Sequence, residues 1–165
     1  MMGLKRSSLE AGHRRKLLVV VDDSPECDRA VVYASRRAEH TGGGLVLLHV
    51  VEDADFRGYV GLGDTLRRQA RADAEAVLAE VVERVHGLAA IEPETVVREG
   101  VPAVEVVRHI EADADIAVLV LAAGTGPEGP GPLVAALAGR GSGTFPVPIT
   151  IVPGHLTDAE IAAIA

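Results

Sequence analysis

Ile116-Ala117-Val118-Leu119-Val120-Leu121-Ala122-Ala123 runs straight into Gly124-Thr125-Gly126-Pro127-Glu128-Gly129-Pro130-Gly131-Pro132. The first stretch is continuously apolar, as expected of a strand buried on both faces of a parallel sheet. A glycine-rich turn leaving the carboxyl end of such a strand is where open α/β sheets hold phosphate-bearing ligands. This turn is poor in donors, because the prolines at 127, 130 and 132 carry no backbone N–H. Glu128 adds a negative charge, and no cation follows before Arg140. The same residues mark a ligand position and weaken its phosphate chemistry.

Upstream, Leu17-Leu18-Val19-Val20-Val21 is stopped by Asp22-Asp23-Ser24-Pro25 and reads as a central strand. Ser24 is a candidate N-cap with Pro25 at the first helical position, and the helix runs to about His40. Its Ala30, Ala34 and Ala38 share one face, and Thr41-Gly42-Gly43-Gly44 ends it. Leu45 to Val51 is the second strand, and residues 53–64 have no period and read as a mobile loop. From Thr65 to His86, Ala70, Ala74, Val77, Leu78, Val81 and Val85 recur at helical spacing. Glu94–Glu99 is a third strand, and Gly100-Val101-Pro102 opens a helix carrying Val106, Val107 and Ile110 inward. After the Gly/Pro loop come a short helix over Leu133–Ala138, a loop at 139–146 and a last strand, Ile149-Thr150-Ile151-Val152. Thr157 and Glu160 stand at capping-box spacing, which predicts a terminal helix.

Strand and helix alternate throughout, which predicts right-handed βαβ units and a five-stranded parallel sheet flanked by helices. In the order 3-2-1-4-5 the first and fourth strands are neighbours, so Asp22-Asp23-Ser24 and Ala122-Ala123-Gly124 line one crevice. The domain spans residues 15–153, with a flexible basic arm at 1–14 and a helical extension at 154–165. The basic cluster of the arm reads as a solvated tail.

Composition bounds the function. Apolar residues make up 48% and aromatics 2%, so the core is aliphatic. Sixteen basic against 24 acidic residues leave a net charge of −8, which argues against a nucleic-acid partner. No apolar run nears the roughly 20 residues of a membrane span. The single Cys27 forms no intrachain disulfide and suits a reducing cytoplasm. His49 on an apolar strand reads as a core histidine, and Cys27 as an inert helix residue. His40, His86, His109 and His155 show no metal-ligand spacing, and no Gly-x-Ser-x-Gly, His-Glu-x-x-His or Walker A sequence occurs. No catalytic constellation emerges.

Several segments resemble the universal stress proteins (UspA-like). Val21-Asp22-Asp23-Ser24-Pro25-Glu26 is similar to their Val-Asp-x-Ser opening, and Leu47-Leu48-His49-Val50-Val51-Glu52 to their second strand. Gly100-Val101-Pro102 resembles their Gly-x-Pro lead into the third helix, and Ala114-Asp115-Ile116 their Ala-Asp-(Leu/Ile) lead into the fourth strand. The likeness covers roughly residues 15 to 153. It implies cytoplasmic location, a homodimer through the last strand at 149–152 and, in one branch, binding of AMP or of ATP with Mg. There the Asp closing the first strand, here Asp22, meets the adenine end, and the residue after the second-strand His, here Val50, packs on the base. Gly126-x2-Gly129 matches the first half of the branch's ribose and phosphate motif. Nine residues on stand Gly139-Arg140, and Gly141-Ser142 and Gly143-Thr144 fit only with stretched spacing.

The cofactor-binding candidates are thus Val21, Asp22, Ser24, Val50, Ala122, Gly124, Thr125, Gly126, Gly129, Gly141 and Ser142. A carboxylate such as Asp22 also serves simply to cap a turn, and the Gly/Pro loop to close the sheet. Three functions remain open: an adenine-nucleotide-binding stress or signalling module, a nucleotide-free dimeric interaction module acting through its dimer surface and C-terminal helix, and an adenylating PP-loop-type enzyme. The third expects a Ser-Gly-Gly-x-Asp-Ser-like turn where this chain has Val-Asp-Asp-Ser-Pro.

Overall fold

Five strands pair in parallel as β1 (Lys16–Val20), β2 (Gly44–Val51), β3 (Glu94–Glu99), β4 (Ile116–Ala123) and β5 (Ile149–Pro153). Their order is β3-β2-β1-β4-β5, the order expected of a UspA-like sheet. The computed structural model describes residues 5–52 and 63–165, so most of the loop expected at 53–64 lies outside the described residues. Among these residues no helix is long and apolar enough to cross a membrane.

Side-chain alternation splits the core into two layers. Leu17, Val19, Val21, Leu45 and Leu47 point to one face, covered by α1 (Cys27–Thr41), α2 (Gly63–Leu88) and α5 (Asp158–Ala162). Leu18, Val20, Val46, Leu48 and Val50 point to the other, under α3 (Pro102–Ala112) and α4 (Pro132–Leu137). Most of these side chains are wholly buried, each removing about 1.5–3 kcal/mol worth of apolar surface from water.

Local chemistry sets the boundaries. Gly42 ends α1 in the left-handed region at φ 68°, and Gly43 N–H reaches back to Ala38 at 2.8 Å. The start of α1 differs from the expected one. Ser24 is not its N-cap: the helix begins at Cys27, its capping residue is Glu26, and no side chain caps it. The hydroxyl of Ser24 is taken by Asp22 at 2.5 Å, so Asp22 rather than the helix end claims it. The expected loop at 139–146 contains a 3-10 turn, Arg140–Thr144.

Both chain ends are tied to this frame. Where the basic cluster reads as a solvated tail, Arg6 instead donates to the carbonyls of Ile110 (2.7 Å) and Ile116 (3.2 Å). Ser7 donates through its hydroxyl to Asp115 at 2.6 Å, and His13 meets the same carboxylate at 2.8 Å. At the other end Thr157 caps α5 by accepting from Glu160 N–H at 3.1 Å, as the spacing predicts. Ile161 of α5 is fully buried, and His40 donates to the Ala165 oxygen at 2.8 Å.

Candidate functional site

Pairing of β1 with β4 brings two chain exits to the same end of the sheet. Val21 continues β1 by donating to Leu48 O at 2.7 Å, and His49 Nδ1 donates to Val21 O at 2.7 Å. His49 is therefore a satisfied strand histidine. The Val21 side chain is buried on the α1 side, away from the exit. Asp22 turns the chain by accepting from both the N–H (3.0 Å) and the hydroxyl of Ser24. Cys27 lies against Val20 O at 3.6 Å, and burial pushes its thiol up to about 11, so it is no thiolate nucleophile near neutrality.

The other wall is the loop after β4. Gly124 N–H donates to Pro130 O at 3.0 Å and Gly129 N–H to Gly126 O at 3.2 Å, which folds the loop back on itself. Gly131, at φ 110°, turns it into Pro132, the first residue of α4. Between the walls lies a cavity of about 40 Å³ lined by Asp22, Ser24, Glu26, Ala122, Pro130 and Leu133, with Val20 and Leu121 as its floor. Nucleotide-sized pockets run to several hundred Å³. The space is filled by Glu26, whose carboxylate stands 3.2 Å from where a side chain on Gly124 would begin and 3.6 Å from the same point on Gly131.

Of the sequence candidates, Asp22, Ser24 and Ala122 line this cavity, and Gly124 flanks it. Val50 is buried in the core among Val20, Leu48 and Leu121, not on the cavity wall. Thr125, Gly126 and Gly129 lie along the loop, where the Glu128 carboxylate folds over Gly126. Gly141 and Ser142 are exposed in the 3-10 turn, and the Ser142 hydroxyl is spent on Gly139 O at 2.7 Å. Glu26 was not among the candidates. Its position in the first turn after β1 would have pointed to it once that turn was set against the loop after β4.

An adenine nucleotide does not fit these residues as they stand. The cavity is too small, no Lys or Arg is among its lining residues, and Glu26 places a carboxylate on its wall beside Gly124. Among the described residues no group of three or more His, Cys, Asp or Glu is placed to hold a metal ion.

Comparison with known proteins agrees with this architecture. The model of the Universal stress protein family matches residues 13–130, more than half of the chain. No curated protein matches in sequence. Among solved structures, the universal stress protein UspA from Lactobacillus plantarum superposes with a TM-score of 0.65 at 21% identity, over 84% of this chain and 97% of that one. A universal stress protein in complex with cAMP gives 0.62 at 18% identity, over 86% and 98%. One from Archaeoglobus fulgidus in complex with dAMP gives 0.58 at 15% identity, over 85% and 98%. The chain belongs to the universal stress protein family.

Proposed function

We propose that this member of the universal stress protein family acts in the cytoplasm as a dimeric, nucleotide-free interaction module of the stress response. One observation carries this reading: the crevice where such a sheet takes ligands is closed by the chain's own Glu26 and the Pro130-Gly131-Pro132 turn. A carboxylate held there repels a phosphate rather than cradling it. Dimerisation is supported by β5, an edge strand with Ile151 exposed, since an unpaired strand edge invites pairing with another chain. Light scattering is expected to give the mass of two chains at micromolar concentration, and a monomeric mass removes that part.

Adenine-nucleotide binding is the second reading. It is favoured by the place of the crevice, between the carboxyl ends of β1 and β4, and by the cAMP and dAMP held by the two solved proteins. It requires Glu26 and the loop to move out. Calorimetric titration with AMP, cAMP and Mg-ATP separates the readings. No heat is expected from the native chain at ligand concentrations up to millimolar. Binding tighter than about 100 μM would overturn the nucleotide-free reading, and loss of that binding in Asp22→Ala would place the ligand in the crevice.

A further inference from the structure

The face of β3 that α3 covers carries Glu94, Val96 and Arg98, alternate residues of which Val96 packs into the core beneath α3. Along α3 and its C-cap the matching positions are Glu105, His109 and Asp113, spaced by four. Glu105 is buried and accepts from Arg98 Nε at 2.9 Å and from Arg108 at 2.8 Å. At the far end Lys16 Nζ, from β1, reaches Asp113 at 2.9 Å and Glu94 at 3.0 Å. Asp113 also accepts from Asp115 N–H at 3.1 Å, and its carbonyl accepts from Arg6. His109 alone has nothing: both of its ring nitrogens are buried and neither has a hydrogen-bond partner among the described residues.

A neutral imidazole pays a modest penalty for this, whereas an imidazolium with two buried donors and no acceptor pays far more. We propose that His109 makes the seam between α3 and β3 acid-labile. A proton on the ring must either stay buried without an acceptor or draw Glu94 or Asp113 away from Lys16. Either outcome loosens α3 from the sheet edge. The effect reaches further, because Val106 and Ile110 of α3 share one apolar cluster with Leu133, Val134 and Leu137 of α4, the helix beside the crevice. The charges that act on the ring from neighbouring elements are Arg98 and Glu94 of β3, Lys16 of β1 and Asp113 at the end of α3.

Burial, and then Arg98, hold the ring below the ordinary histidine value of 6.5. The sign follows: the neutral ring's contribution to stability is complete above pH 6.5 and is lost as pH falls below it, because the unfolded chain takes up the proton first. His13 beside Asp115 and His86 beside Glu92 have carboxylate partners and lack this liability.

Thermal melts of the full chain between pH 7.5 and 5.5 test the proposal. The native protein is expected to lose about 2–4 °C more than His109→Leu or His109→Gln over that range. Melting curves that shift in parallel overturn it. Should both variants fail to fold, NMR titration of the ring signals of the native protein decides. A His109 resonance titrating below 6.5 supports the proposal, and one titrating at or above 6.5 overturns it.

Discussion

Glu26 and Asp28 stand two residues apart at the start of α1 and meet opposite surroundings. Asp28 faces the C-terminal side, where Arg84 reaches it at 3.0 Å and Arg29 at 2.6 Å. The same two arginines hold Asp158 of α5 at 2.9 and 2.6 Å, so four charges from three helices form one clasp. Glu26 faces the crevice, where no arginine or lysine is among the lining residues. The clasp uses its carboxylates to hold structure, whereas the crevice uses its own to occupy space. In the first region the charges belong to the fold. In the second the charge stands without a cation among the lining residues.

The strongest way to break this contrast is to remove what lies under the clasp. Ile161 is fully buried, and Ile161→Ala is expected to cost about 3 kcal/mol, from lost transfer energy plus the cavity left behind, read by chemical denaturation. A cost under about 1 kcal/mol would mean that α5 is held by charge rather than by burial. The paired variants Asp28→Ala and Glu26→Ala sharpen the contrast directly. Asp28→Ala is expected to cost about 1 kcal/mol, since Asp28 and Arg84 are 41% and 39% exposed and screened by water. Glu26→Ala is expected to stay within about 0.5 kcal/mol, as a side chain bearing no ion pair. Equal losses would erase the distinction between the two carboxylates.

Acid adds a separate test. Arg84 first, against an opposing effect of burial, and then Arg29 hold Asp28 below the ordinary 3.8, and Arg84 with Arg29 does the same for Asp158. The clasp's contribution is therefore complete above that value and is lost as pH falls through the lowered range. The His109 seam begins to respond as pH falls below 6.5, before the clasp does. A single acid transition with no phase above pH 5 would contradict this order.

Most of the scaffold was legible without coordinates. Apolar runs such as Ile116–Ala123, bounded by glycine and proline, specify strands because little else buries eight consecutive aliphatic side chains. The cap at Thr157 was legible because its partner is three residues away. The expected start of α1 differs through a local competition: the Ser24 hydroxyl could accept from the helix N–H groups as a cap, but it donates to Asp22 instead. Arg6 could not be placed because its three carbonyl partners lie more than 100 residues along the chain. Of the residues that line the crevice, Asp22, Ser24 and Ala122 stand at strand ends visible in the sequence, whereas Glu26 depends on the loop opposite.

The sequence by itself determined the α/β alternation, which follows from hydrophobic period and short crossovers, whereas the strand order and the position of the crevice were implied by the resemblance to the universal stress proteins. Only the tertiary structure decided what fills the crevice and which carboxylates find cations. Those outcomes depend on side chains that meet from distant parts of the chain, and no local pattern records the distance between them.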